Sequence, residues 1–288
     1  MRVSKKHLAV MALALGTFAA AGGQEPNHDA GPDLHGQDLH SQDAKQIVQQ
    51  VVTTELTAGA ADTSLWRYHE VDKTPKRRVT QWVAQTSQVD LPRVVEENDQ
   101  KLTEAQQRQK MESFLKDKGA QARERKKRQD DLKQTADLVK LLPQAFLWTV
   151  TDSHGGESTL HFKPDPSFHP PNIEARILAG VEGDMVVNMT KHRIVSLKGK
   201  LVHDVKFGGG LLGEIKSGGD FEIERQEVGA GVWQIMNTHV HMTGHLLLFK
   251  SVSEQEDDEK ASFKQLPADL SLEQAQNELL QAGDLAKN

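Results

Sequence analysis

Apolar and polar residues alternate at period two through the second half of the chain. In Asp184–Thr190, Met185, Val187 and Met189 fall on one face of an extended segment. Arg193–Phe207 reads as a strand with Val195, Leu197, Leu201, Val205 and Phe207 on a shared face, and Gly199 within it marks a bulge or a close backbone approach. Phe221–Val228 alternates again, with Phe221 and Ile223 opposed to Glu222 and Glu224. Gly229-Ala230-Gly231 has hairpin chemistry, Val232–Val240 forms the next strand and Leu246–Phe249 the last, with Gly244 as a turn or bulge between them. The connections are too short for crossover helices, so the stretch from Arg176 to Ser251 is expected to be an antiparallel meander. One face is apolar and the other charged, and the apolar face needs a cover of helices, a second sheet or a ligand.

The first half supplies helices and further strands. Asp43 is placed to cap a helix over Ala44–Leu56, whose Ile47, Val48, Val51, Val52 and Leu56 form an apolar stripe. Leu65–Val71 and Arg78–Val89 read as strands joined by a turn at Thr74–Lys76. Thr103-Glu-Ala-Gln106 is a capping box that opens a helix ending at Gly119. Beyond it the chain reads as helix again, continuing through Asp131–Leu142 and ended by Pro143, so 103–142 reads as a helical insert between two groups of strands. Phe146–Val150 and Ser158–Phe162 are strands, and Lys163–Pro171 is a stiff loop. Beyond the meander, Glu254–Lys260 reads as an acidic solvated segment, and Ser271-Leu-Glu-Gln274 is a second capping box opening a helix that ends near Gly283. The expected class is α+β: an antiparallel sheet with packing helices and a helical insert, in one domain over 44–280 followed by a tail at 281–288.

Composition changes the picture at the N-terminus. Arg2, Lys5 and Lys6 precede an apolar run, Leu8–Phe18, and then Ala19–Ala21, which is the pattern of a secretory signal peptide over 1–23. The run is too short to span a bilayer. Cleavage would take three positive charges from a formal net charge of −6 and leave −9. So acidic a chain is a poor general binder of nucleic acid or anionic membrane, and at most a peripheral membrane contact is expected. There is no cysteine, which removes disulfides, thiol catalysis, thiolate metal sites and a lipobox thiol. Residues 24–43, with His28, His35 and His40, read as a disordered linker. The basic run Arg123–Arg128 reads as a solvated helix surface with interspersed acids.

Candidate chemistry is sparse, and no cofactor is implied. Gly208–Gly213 matches the dinucleotide fingerprint, but only Glu214–Ser217 separates it from Gly218-Gly219, so it reads as a glycine-rich turn between antiparallel strands. His69-Glu70 begins like a zincin helix, but Lys73 stands where the second ligand is needed. His239 and His241, two apart on a strand, point to one side and could share a metal with His245 or His203. The bland alternative is a pair of histidines on the wet side of a sheet. No nucleophile motif is present and no catalytic residue is nominated. Trp66, Trp82, Trp148 and Trp233 read as core.

Three stretches carry a resemblance: Lys140-Leu-Leu-Pro-Gln-Ala-Phe146, Phe162-Lys-Pro-Asp-Pro-Ser-Phe168 and Gly231-Val-Trp233. With the Val186–Lys250 pattern, they resemble exported bacterial proteins of the lipoprotein-carrier (LolA/LolB-like) fold, in particular uncharacterised acidobacterial periplasmic proteins. The resemblance implies a strongly curved antiparallel sheet, a half-open barrel with helices plugging its concave face, and a cavity that holds acyl chains without covalent chemistry. On that expectation the chain is a periplasmic or secreted binding module for an acyl lipid or a lipidated protein. Its cavity would be lined by Trp82, Trp148, Met185, Val187, Met189, Phe207, Phe221 and Trp233. The long charged insert departs from a plain carrier. Two other readings stand beside it: a metal-dependent enzyme at His239/His241, and a structural or partner-binding protein whose sheet is plugged by its own helices.

Overall fold

The computed structural model describes residues 36–210, 213–229, 231–246 and 250–285. The expected signal peptide, the linker up to His35, Leu247–Phe249 and the last three residues lie outside the described residues. The described chain is α+β, with five α-helices against one open antiparallel sheet of 13 strands. The elements run α1 (Gly36–Ala61), β1 (Leu65–Thr74), β2 (Arg77–Ala84), β3 (Leu91–Glu97), β4 (Gln100–Lys101), α2 (Glu104–Lys116), α3 (Lys118–Ala145), β5 (Phe146–His154), β6 (Glu157–Pro164) and α4 (Ile173–Leu178). They continue as β7 (Val181–Asn188), β8 (Arg193–Leu201), β9 (Val205–Phe207), β10 (Gly213–Ile215), β11 (Asp220–Gly229), β12 (Val232–Leu246), β13 (Lys250–Leu266) and α5 (Leu272–Leu285).

Strand order is β4-β3-β2-β1-β13-β12-β11-β8-β7-β6-β5, with β9 and β10 as a side ribbon on β12. The chain builds outward from β1 to β4 and must then reach the opposite edge to begin β5. Across eleven strands the edges lie roughly 48 Å apart along the sheet, and the 28-residue α3 alone spans about 42 Å. The helical insert is therefore the crossover that the topology requires. It packs on α1, α2, α4 and β5 as it returns.

The helix-covered face holds the main core. Ala44, Val48, Val51 and Val52 of α1 meet Leu138, Val139 and Leu142 of α3 over Trp148, Phe162, Met185, Val187, Ile194, Phe221 and Ile223. The other face carries α5 at one end. Leu65, Ala84 and Leu91 pack there with Leu272, Ala275 and Leu279, and α2 adds Met111. Farther along that face the register builds a ladder of charge. His161, Asp184, Lys198, Glu222, His239, Asp257 and Lys73 are successive cross-strand partners from β6 to β1. With the histidines protonated the sign alternates at every step, the arrangement that favours cross-strand pairing.

Several expectations are corrected. The first helix begins at Gly36, so the expected linker is helical from that residue and Asp43 lies inside the helix. Arg78–Val89 is not one strand: β2 ends at Ala84 and a new strand, β3, starts at Leu91. Pro92 disguised β3, and it is tolerated because β4 pairs only with Glu96 and Glu97. Arg193–Phe207 breaks into β8 and β9, the start of the expected meander at Arg176 lies in the short helix α4, and β12 runs through Gly244. Pro143 sits inside α3, which continues to Ala145. Asp117, not Gly119, divides the insert, closing α2 and capping α3 by accepting from Ala120 N at 2.8 Å. Both capping boxes form as expected, at Thr103/Gln106 and Ser271/Gln274.

The largest correction is Glu254–Lys260. It belongs to β13, the 17-residue strand that pairs with both β1 and β12 in the middle of the sheet.

Glycine is required where β7 and β8 touch. Gly183 and Gly199 are cross-strand partners, and a Cβ at Gly183 would lie 2.0 Å from Lys198 O and 2.6 Å from Gly199 Cα. Gly183→Ala is expected to cost stability at the upper end of the ~1–3 kcal/mol typical of overpacking. Gly218→Ala, where a Cβ meets nothing but φ is +88°, should cost only about 1–2 kcal/mol of backbone strain. Urea midpoints of the two variants measure the difference.

Candidate functional site

The eight expected cavity residues are divided among separate parts of the molecule. Trp148, Met185, Val187, Phe207 and Phe221 are buried in the main core, and Met189 packs against it. Trp148 donates Nε1–H to Leu142 O at 3.0 Å and packs its ring against Phe146 and Phe162. Trp82 lies on the opposite face, between His69 and the Arg67 guanidinium. Trp233 is buried beneath Arg193.

The expected metal ligands lie on the charged face. His239 Nδ1 is 2.6 Å from Asp257 Oδ1 and its Nε2 is 3.4 Å from Asp220, while His241 Nδ1 is 3.7 Å from the same Asp220 carboxylate. The side chain of His245 lies outside the described part. Among the described residues, no group of three or more histidine and acidic side chains is arranged to hold a metal ion. The His239 imidazole is a rung of the cross-strand charge ladder, and His241 is the cross-strand partner of Asp220 and Gln255 beside it. The glycine-rich 208–213 stretch is, as read, a turn between antiparallel strands β9 and β10, with Leu211 and Leu212 outside the described residues.

A cavity of about 590 Å³ opens elsewhere, between the N-terminal half of α3 and the sheet at β1, β2, β12 and β13. The volume suits one small-molecule ligand. Part of its wall is apolar: Val83, Val89, Pro92, Phe114, Ala120 and Ile235. The floor is charged. Lys260 Nζ is 2.5 Å from Asp258 Oδ2 and 3.4 Å from Glu70 Oε1. Gln81 donates to the other oxygen of Glu70. Toward α3, Arg128 reaches Asp90 Oδ1 at 3.1 Å and Thr86 O at 3.3 Å.

Local folding explains the placement. Tyr68 and Glu70 on β1 share a side with their β2 partners Val83 and Gln81, and with Lys260, the β13 partner of Glu70. These positions face α3, while the alternate residues Arg67 and His69 face α5 and Trp82. The basic run is thus not simply a solvated surface, since Arg123, Lys127 and Arg128 border the cavity.

Burial and mutual repulsion govern the acids here. Burial, with Glu70 and Asp72 adding to it, pushes Asp258 up to about 6 against the pull of Lys260. Burial and Glu70 also raise Asp72, the cross-strand partner of Asp258. Burial raises Asp90 against Arg128. Tyr68 is held well above the usual phenol range by burial and by Glu70, Asp90 and Asp258. Burial opposes the Lys260 ammonium, but Asp258 and Glu70 outweigh it and raise its pKa.

A second buried charge cluster joins α1 to the sheet. Glu55 Oε1 accepts from Arg225 Nη1 at 2.7 Å and from Ile194 N at 2.8 Å, and its Oε2 accepts from Arg193 Nη2 at 3.1 Å. Ile194 lies where a bulge shifts the β7–β8 register and where the β8–β11 pairing ends at Ser196, so the carboxylate takes a strand donor that the ladder leaves over. Burial disfavours the Glu55 carboxylate, but the two guanidiniums outweigh it and lower its pKa. Glu55 has a signal in the sequence: it stands three and four residues after Val52 and Val51, on the apolar stripe itself.

No family model, no curated protein and no solved structure matches this chain. No described helix is long and apolar enough to cross a membrane.

Proposed function

We propose that this chain is an exported binding protein that holds one amphiphilic molecule, an acyl lipid or the acyl end of a lipidated partner, in the cavity under α3. The observation that carries the reading is the cavity itself, with an apolar wall of Val83, Val89, Phe114 and Ile235 next to a charged floor. Such a surface matches a ligand with an alkyl part and a polar end. Each methylene buried against the wall contributes about 0.8 kcal/mol, so a short alkyl segment is enough for binding. The half-open carrier barrel implied by the sequence resemblance is compatible with a large open sheet covered by helices. The site differs from the one first expected, because α1, α3 and α4 already fill the apolar face around Trp148 and Met185.

Titration with an alkyl amphiphile, followed by calorimetry, tests this reading. Saturable one-to-one binding is expected, and Ala120→Trp, which projects from α3 into the cavity, should weaken it at least ~10-fold without lowering the melting temperature. Binding unaffected by Ala120→Trp would place the ligand elsewhere and overturn the assignment.

A further inference from the structure

The two edges of the sheet are finished differently. At one edge β4 has only Gln100 and Lys101, and β3 behind it carries Pro92, so a further strand finds little to pair with. The other edge is β5, nine residues long, and among the described residues only β6 pairs with it. Its stretch Phe146–Thr151 holds no charge and no proline, in a chain that is 26% charged. Phe146 and Trp148 are buried in the main core on one side, while Leu147, Thr149 and Thr151 are exposed on the other. Leu147, at 44%, is the large hydrophobic side chain left exposed among the described residues.

Hydrogen bonding alternates along an antiparallel pair. Asp165 N donates to Ala145 O at 3.0 Å, and Pro164, opposite Phe146, has no N–H to give. Counting on by two, Leu147 and Thr149 bond to β6, and the N–H and C=O groups of Trp148 and Val150 point to the open edge. A bulge after Val150 ends this regular stretch.

We propose that β5 is a dimer interface, pairing antiparallel with β5 of a second copy about a two-fold axis at Thr149. A two-fold contact sets a surface against itself, so the strand must be self-complementary. In this register Trp148 of each copy exchanges backbone hydrogen bonds with Val150 of the other, and the exposed Leu147 gains Thr151 of the other copy as a neighbour. The residue on the axis meets its own copy, where a charge would repel. Thr149 is the β6-side partner of His161, so it continues the row that is charged from His161 to Lys73, and it is neutral. That break at the edge is what a second copy requires. It leaves the two His161 side chains three strand spacings apart, about 14 Å, beyond the ~8 Å screening length at physiological salt.

Sedimentation equilibrium of the full chain tests the proposal, and a reversible monomer–dimer equilibrium is expected. Thr149→Lys sets two like charges on the axis and should weaken dimerisation at least ~10-fold. Its melting temperature should match the parent's at dilution, where both are monomeric. Thr149→Cys places a thiol on the axis of a cysteine-free chain, with a Cα separation of about 4.5 Å that a disulfide can bridge. Mild oxidation should crosslink it far more than Ser153→Cys on the same strand. A parent that stays monomeric up to its solubility limit, a dimer unaffected by Thr149→Lys, or equal crosslinking of the two cysteine variants would each overturn the proposal.

Discussion

Glu55→Ala is expected to lower the unfolding free energy by about 3–5 kcal/mol, the cost of removing one partner from a buried ion cluster. The Glu55 side chain is 3% exposed, and its two guanidinium partners are 9% and 3% exposed. Alanine would leave Arg193 and Arg225 charged and buried with no counter-charge, and would strip Ile194 N of its acceptor. Single domains have only about 5–15 kcal/mol in total, so the loss is a large share. Replacing all three side chains by apolar ones of similar volume should recover most of it, since the burden lies in the unpaired charge. The pH dependence has a definite sign. The folded-state pKa of Glu55 lies below its ordinary 4.5, so the contribution is fully present above that value. It is lost as the pH falls through the lower folded value. Urea midpoints of the parent and of the alanine variant, compared across the acid range, should draw together as the pH falls below 4.5. A gap that persists unchanged at low pH would contradict the assignment.

Lys260→Met is the second large effect. It removes the ammonium that holds Glu70 and Asp258 together, and Asp72 lies opposite Asp258 in the register. A cost of about 3 kcal/mol is expected at neutral pH. Here the linkage runs the other way. Asp258 is an acid whose folded pKa, about 6, lies above its ordinary 3.8, so its ionisation in the folded state opposes stability as the pH rises through that range. Without Lys260 the shift should grow. The variant should therefore regain stability between about pH 7 and pH 5, the interval in which Glu55 in the parent is unchanged. A pH-independent deficit would show that Lys260 acts by packing alone.

How far the sequence could be read depended on what each strand faces. Between β6 and β12 one side meets helices and the other water, so Met185, Val187, Phe221 and Ile223 alternate with charges and the meander was legible. β13 was not. Its face toward α3 carries Glu256, Asp258 and Lys260, and its other face carries Asp257 and Glu259, so nothing distinguishes it from a solvated loop. A strand between a charge ladder and a polar cavity is polar on both sides. The same fact hid the site: Glu70 is far in sequence from Asp258 and Lys260 and is brought to them only by the β1–β13 pairing. The helical insert was visible as helix, but its crossover role follows from strand order, which local periodicity does not encode. His239 and His241 share the side that was read for them, and their neighbours Asp220 and Asp257 became known only from the register.

The most direct measurement is native mass spectrometry of the full chain purified from its own host, followed by organic extraction and identification of any released mass. The account predicts one bound amphiphile per chain, extractable into organic solvent and absent from Ala120→Trp. Parent protein that is bare from the host and also fails to take up added amphiphile would contradict it.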